Sequence, residues 1–220
     1  HRDLHVRSRR QRQMCIRDRY ITTHMKTFRA FGPTLGKGKL SKKILKVINN
    51  HVDKTVISKK NDYSSKLVSQ IKDEVKLNDA FIKKNLSKEL IKNIKKYLQV
   101  SGVPKIKEVK IIKLWVVRQF KNEYNPIHYH NGQLSGVGYL KIPKNMNQNK
   151  VVKNKKVKTN GTIDFINGQK NFLSKSIYNL NPKIGDLLIF PNYLMHAAYP
   201  FNVDGERRSF SFNAKIIFKN

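Results

Sequence analysis

The order of local patterns along the chain is the feature that most constrains its fold. Before Pro104 apolar residues recur at helical spacing, whereas after it come short runs rich in β-branched and aromatic residues, separated by Gly-containing turn signals. The predicted strands are residues 106–120, 134–142, 162–166, 177–180, 187–190 and 209–218. Helices followed by many short strands predict an α+β domain with a sandwich or barrel core.

The segment before Pro104 is predicted to contain three helices. The first runs from its N-cap Ser41 to about residue 54. The four-residue spacing of Leu67, Ile71 and Val75 predicts a second helix. Ser87 opens the third, and a Gly-Val-Pro sequence ends it.

Other segments are predicted to lack regular structure. Residues 31–40 are punctuated by Gly and Pro, and residues 144–160 have almost no apolar side chains, as expected of a loop or hairpin tip. Residues 1–18 resemble the in-frame translation of a sequencing-library adapter, so 1–19 are expected to be non-native and Met25 the first native residue.

This pattern divides the chain into that adapter-like segment, 1–19, and a single domain. Residues 25–104 are predicted to be the helical N-terminal part of the domain, and residues 105–220 its β core. The only cysteine, Cys15, lies in the adapter-like segment. The rest of the chain therefore excludes disulfides, cysteine-ligated zinc, iron–sulfur clusters and cysteine nucleophiles.

The chain is strongly basic, with a formal charge of +32, and its lysines far outnumber its arginines. One interpretation is a solvated lysine surface set by codon usage; the other is attraction to nucleic acid. The even spread of the lysines and the scarcity of arginine, the better base reader, favour the first. No apolar run is long enough to cross a membrane and no secretory signal follows Met25, so a cytoplasmic protein is predicted.

Three histidines form the candidate metal site. His128 and His130 lie two residues apart in a segment expected to be extended, so their imidazoles point to the same side. His196 follows another predicted strand, and a close pair with a distant third ligand is how a jelly roll builds a facial metal site. Imidazole suits iron, zinc, copper or nickel, and three facial ligands leave three positions open.

A candidate anion-binding residue follows the last histidine. Arg207 is eleven residues beyond His196, where the next strand would bring it beside the metal, and its planar guanidinium can bind a carboxylate through two hydrogen bonds. Ser209 shares its face of the strand and can add a hydroxyl hydrogen bond. Arg207 and Arg208 are two of only four arginines after Met25. Taken alone, the pair also fits the solvated base of a hairpin.

Four segments carry a resemblance to a known family. They are NPIHYH at 125–130, LSGVGYL at 134–140, GDLLIFP at 185–191 and RRSFSFN at 207–213. With His196, they resemble the 2-oxoglutarate/Fe(II) oxygenases of the prolyl-hydroxylase-like branch, of a type common in marine bacteria and their phages. The resemblance covers about residues 106–218 and implies a double-stranded β-helix core.

The resemblance also implies a chemistry. Fe(II) would be held by His128, His130 and His196, and 2-oxoglutarate by Arg207 with Ser209 and Tyr139. Dioxygen is the co-substrate, ascorbate can serve in addition, and oxidative decarboxylation to succinate accompanies hydroxylation of a substrate that the sequence does not specify. Oligomeric state is not predicted either.

One departure from the family pattern leaves alternatives open. The superfamily usually has His-x-Asp or His-x-Glu where this chain has His130, and Asp186 and Glu123 are the acids expected nearest the metal. The all-histidine set also fits a jelly-roll metal-binding or sensing module without turnover. The basic charge leaves a third interpretation, a protein that binds or modifies nucleic acid.

Overall fold

A computed structural model describes residues 26–29, 32–55, 63–103, 105–146, 159–173 and 175–219. These residues form three helices and eleven strands. The helices are α1 (Lys42–Thr55), α2 (Asp79–Asn85) and α3 (Ser87–Val100). The strands are β1 (Lys26–Arg29), β2 (Thr34–Lys39), β3 (Asp73–Lys76), β4 (Ile106–Gln119), β5 (Asn125–His128), β6 (Leu134–Lys141), β7 (Ile163–Ile166), β8 (Ile177–Leu180), β9 (Asp186–Pro191), β10 (Met195–Ala198) and β11 (Arg207–Phe218).

Two antiparallel sheets face each other. The major sheet has seven strands in the order β1-β2-β9-β6-β11-β4-β3, and the minor sheet has four in the order β5-β10-β7-β8. Alternate residues of the central strands point between the sheets, where Tyr139, Phe165 and Phe190 belong to one buried apolar cluster. The predicted α+β fold with a double-stranded β-helix core is confirmed.

The helices cover the outer face of the major sheet. Ile48 of α1 and Ile94 of α3 are fully buried and belong to the same apolar cluster as Phe210 and Phe212 of β11. Ser41 caps α1 as predicted, since its Oγ accepts a hydrogen bond from the Ile44 N–H at 3.3 Å. The predicted first and third helices are therefore confirmed, and one face of the major sheet is left free for the site.

The predicted strands of the β core are also confirmed, each to within two residues at either end. Most of the predicted loop at 144–160 and the adapter-like segment lie outside the described residues. Within those residues, no helix has the length and apolar character needed to cross a membrane.

Two predictions about the N-terminal part are wrong. Residues 31–40 include β2, which pairs with β9 in the major sheet. The predicted second helix is instead a single 3₁₀ turn, Ser64–Lys66, followed by β3. Residues four apart share one side of a strand as well as of a helix, so the spacing of Ile71 and Val75 fits both structures. Pairing of Val75 with Val116 selects the strand.

Candidate metal centre

The minor sheet brings two of the predicted ligands face to face. His128 on β5 lies directly opposite His196 on β10 in the antiparallel register. His130 lies just beyond β5. Its backbone N–H donates to the Asn192 carbonyl at 3.0 Å, and the Asn192 side-chain amide donates to the His130 carbonyl at 2.9 Å. The candidate ligand nitrogens of the three histidines all lie within 4.8 Å of one another. Within the part of the chain that the structure describes, this is the one group of three or more such side chains close enough to hold a metal.

Backbone carbonyls orient two of the rings. The Nδ1 of His128 is 2.8 Å from the Pro126 oxygen, and the Nδ1 of His196 is 2.9 Å from the Leu194 oxygen. A carbonyl oxygen can only accept a hydrogen bond, so each Nδ1 must carry the proton. In the neutral ring the lone pair is then on Nε2, the atom available to a metal.

Burial keeps the imidazoles neutral. Burial lowers the pKa of His128. Burial, with a smaller contribution from the nearby His128 ring, lowers the pKa of His130 to about 4. The pKa of His196 falls well below its usual value for the same reasons, burial first and the neighbouring imidazoles second. Phe190 packs against His196, with ring centroids 4.9 Å apart. Because a neutral imidazole is the form that binds metal, the site is ready for a cation at neutral pH.

Arg207 occupies the same inter-sheet space from the major sheet. It is 3% exposed, and its Nη1 donates to the Gly161 carbonyl at 2.8 Å. Its Nε is buried and has no hydrogen-bond partner among the described residues. Burial lowers the pKa of Arg207, although the guanidinium stays charged. A buried cation with an unsatisfied donor is costly unless an anion completes it, and a ligand carboxylate fits that requirement.

Arg208 faces the opposite way, because successive residues of a strand alternate sides. Its Nε and Nη2 donate to the two oxygens of Glu206 at 2.6 and 2.8 Å, and Nη2 also donates to Asp53 at 2.6 Å. This ion-pair network joins β11 to α1. The two neighbouring arginines therefore have separate roles, one in the cavity and one in the attachment of the helix.

The histidines and Arg207 line one cavity of about 310 Å³. The predicted residues Ser209 and Tyr139 also line it, and they are directly opposite each other on β11 and β6. Burial raises the pKa of Tyr139 to about 12, so its hydroxyl keeps its proton. The structure thus brings together the three predicted metal ligands and the three residues predicted to bind 2-oxoglutarate.

The two acids expected near the metal lie elsewhere. Asp186 is fully buried, but Lys39 donates to it at 2.5 Å and the Lys183 N–H donates to it at 3.0 Å. Glu123 accepts a hydrogen bond from the Phe120 N–H at 2.9 Å. Neither carboxylate joins the histidines, so the ligand group found among the described residues contains imidazole alone.

Sequence reasoning missed several residues of the cavity wall. Trp115 packs beside His130, with ring centroids 5.6 Å apart, and Glu74 on β3 is 1% exposed. Asn125 Nδ2 lies 3.5 Å from His128 Nε2. Because Asn125 is only three residues before the candidate ligand His128, its sequence position could have indicated that it lines the cavity. Nothing local to Glu74 distinguishes it from a surface acid.

Comparison with known proteins agrees with this geometry. The sequence pattern of the family described as "Putative 2OG-Fe(II) oxygenase" matches residues 113–213. That range is slightly under half of the chain, and it contains the three histidines, Tyr139, Arg207 and Ser209. No curated protein sequence matches the chain.

Three solved structures illustrate the likeness in fold. A prolyl-4-hydroxylase of Pseudomonas putida is 10% identical, with 92% of this chain and 97% of that one covered at a TM-score of 0.52. The collagen prolyl hydroxylase vCPH of Paramecium Bursaria Chlorella virus-1, in complex with 2OG, is 16% identical, with 88% and 96% covered at 0.51. HygX of Streptomyces hygroscopicus, with nickel and 2-oxoglutarate bound, is 11% identical, with 93% and 86% covered at 0.54. At these identities the likeness establishes the fold.

Proposed function

We propose that the chain is a non-haem Fe(II)- and 2-oxoglutarate-dependent dioxygenase that hydroxylates a substrate and releases succinate. The observation that carries the proposal is the buried guanidinium of Arg207, which lines the same cavity as three convergent imidazoles and whose Nε has no hydrogen-bond partner in the part of the chain that the structure describes. A metal site alone would not require a buried cation in its cavity. A ligand with a metal-chelating end and a carboxylate at the other end explains both features.

Each residue has a role in this proposal. His128, His130 and His196 hold the iron through nitrogens that burial keeps neutral. Arg207 binds the distal carboxylate of 2-oxoglutarate, and the hydroxyls of Ser209 and Tyr139 add hydrogen bonds to it. When bound, iron, 2-oxoglutarate and dioxygen together supply decarboxylation of the keto acid coupled to oxidation of a substrate C–H bond. Phe190 and Phe165 exclude water behind the His196 ring.

The distal-carboxylate role predicts a specific preference among keto acids. Pyruvate has the same chelating end as 2-oxoglutarate but lacks the distal carboxylate. Anaerobic calorimetry of the Fe(II)-loaded protein should therefore show 2-oxoglutarate binding at least about tenfold more tightly than pyruvate. Arg207→Met should remove that preference and leave pyruvate binding intact. Equal affinities for the two acids in the unmodified protein would contradict the proposal.

A second candidate function rests on the ligand set itself. Three neutral imidazoles do not offset the positive charge of a bound metal ion. Zinc and nickel ions also bind three-histidine ligand sets. The alternative is a metal-binding or sensing module without turnover. Zinc in protein purified from its native host, together with no 2-oxoglutarate binding after exchange to Fe(II), would favour it.

A further inference from the structure

The loop between β7 and β8 presents two large apolar side chains to solvent. A hydrogen bond from the Asn167 N–H to the Ser176 carbonyl, at 2.9 Å, closes the base of this loop. At its tip Phe172 is 93% exposed and Leu173 is 92% exposed, the highest values among the large apolar residues that the structure describes. Adjacent apolar side chains in full contact with water are unfavourable, so their place at a loop tip requires a reason.

The backbone conformation of Leu173 adds to this requirement. Its φ of 63° lies in the left-handed region, which glycine adopts freely and which leucine adopts at a cost. The Leu173 side chain gains almost no packing within the chain in return, because it is almost fully exposed. A contact outside the folded chain would explain why an apolar side chain is kept at a position that suits glycine.

The loop is basic as well as apolar. Lys170 and Lys175 flank the two apolar residues and are both exposed, and residues 167–176 contain no acidic residue. Apolar side chains between exposed lysines match the surface of an anionic lipid bilayer. Its acyl chains accept the apolar groups, and its headgroups attract the ammonium groups. The basic character of the whole chain adds to that attraction.

A row of apolar side chains leads from this loop toward the cavity. Ile177, the first residue of β8, is opposite Ile166, and Ile166 is opposite Met195. This row is on the outer face of the minor sheet, because His196, the neighbour of Met195, points into the cavity. Tyr129 lies just beyond β5 at the same end of the sheet, and it both lines the cavity and is exposed.

The shape of the loop tip favours a bilayer over a protein as the partner. Phe172 and Leu173 are each more than nine-tenths exposed, so both side chains project from the surface. A protein partner would have to supply a pocket that fits each of them, whereas a lipid interface accepts a projecting apolar group of any shape. A second copy of this chain is disfavoured, because two strongly basic surfaces repel each other.

From these features we infer that the Phe172–Leu173 tip, with Lys170 and Lys175, is a contact site for an anionic lipid bilayer. The two apolar side chains enter the boundary between headgroups and acyl chains, and the lysines remain at the headgroups. Contact of this kind needs no membrane-spanning segment. The inference goes beyond the proposed function and does not depend on it. It turns the end of the minor sheet that carries Tyr129 toward the lipid.

Insertion of the tip is tested with a tryptophan placed there. The full chain with Phe172→Trp is mixed with vesicles of equimolar phosphatidylcholine and phosphatidylserine whose acyl chains carry bromine, a short-range quencher of tryptophan fluorescence. Quenching should far exceed that of the matched variant Ile184→Trp, because Ile184 is also exposed but follows β8 at the opposite end of the sheet. Trp115, present in both variants, contributes equally. Equal quenching would overturn the inference, and failure of the unmodified chain to bind these vesicles would point to a protein partner instead.

Further variants separate insertion from the general attraction between charges. Leu173→Gly suits the left-handed backbone, so it should not lower the free energy of unfolding, yet it should weaken vesicle binding at least about tenfold. Ile184→Ser should leave vesicle binding unchanged. Vesicles of phosphatidylcholine alone should bind the unmodified chain at least about tenfold more weakly than the anionic vesicles. Unchanged binding by folded Leu173→Gly, or equal affinities for the two kinds of vesicle, would contradict the inference.

Discussion

His128 and His196 are held in the same way from two different strands. They are opposite each other in the register of β5 and β10, and each directs Nδ1 at the carbonyl oxygen of the residue two positions before it, at 2.8 and 2.9 Å. This shared arrangement leaves both Nε2 atoms for a metal without rearrangement of the rings. His130 completes the group, with its Nε2 3.2 Å from that of His196.

Removing one of these rings should remove the metal. His196→Ala is expected to weaken Fe(II) or Zn(II) binding by at least about 100-fold, because changes to mere supporting residues already cost 10–100-fold. Elemental analysis and competition with a chelating dye would measure the change. His51→Ala is the matched control, since His51 stacks on Phe81 in the helical layer, away from the cluster. Equal metal content in both variants would contradict the assignment.

The two neighbouring arginines should respond oppositely to the same substitution. Arg208→Met removes one of the two arginines that contact Glu206, and the main partner of the half-exposed Asp53, so the free energy of unfolding should fall by about 1–3 kcal/mol. Arg207→Met removes an incompletely paired buried charge, so stability should not fall, whereas 2-oxoglutarate should bind much more weakly. Urea unfolding and calorimetry on both variants test this pair. A large destabilisation by Arg207→Met would point to a structural role instead.

Two glycines of β6 permit aromatic packing beneath the site. A Cβ at Gly136 would lie 2.4 Å from the Phe212 ring, and one at Gly138 would lie 2.3 Å from the Phe210 ring. Gly138→Ala should therefore destabilise the protein by about 1–3 kcal/mol in urea unfolding. Gly32→Ala, where a Cβ meets nothing within 4 Å, should change stability little. Equal stabilities of the two variants would show that the packing tolerates displacement.

Glu206 should contribute to stability in a defined pH range. Burial by itself would raise its pKa, but hydrogen bonds from Arg208 and Arg118 outweigh burial and lower the pKa below the usual 4.5. As the pH falls below about 4.5 the unfolded chain takes up this proton before the folded one does, so stability is lost on acidification through the folded pKa. The stability difference between the native protein and Glu206→Gln should shrink as the pH falls from 6 to 3. A constant difference would contradict this role.

Two of the three candidate metal ligands were readable from the sequence because their spacing is local. His128 and His130 share one side of an extended segment, and Arg207 alternates with Arg208, so chain geometry alone predicts which side chains point inward. His196 was grouped with them only through the expected jelly-roll fold, and its register against His128 comes from the structure.

The N-terminal strands β2 and β3 were not predictable in that way. β2 contains two glycines and few apolar side chains, and it is a strand because β9 offers it an edge to pair with. The place of Glu74 depends on the pairing of β3 with β4, a contact between segments more than 40 residues apart. Long-range pairing of this kind leaves little signal in the local sequence.

The central claim, that the three histidines hold an iron to which 2-oxoglutarate binds, is tested most directly by anaerobic absorption spectroscopy. Fe(II) and 2-oxoglutarate are added without oxygen, and the visible charge-transfer band of a keto acid chelated to iron is sought. The account predicts a band that is absent in His196→Ala and needs much more 2-oxoglutarate in Arg207→Met. Iron bound by the histidines with no band at saturating 2-oxoglutarate would contradict it.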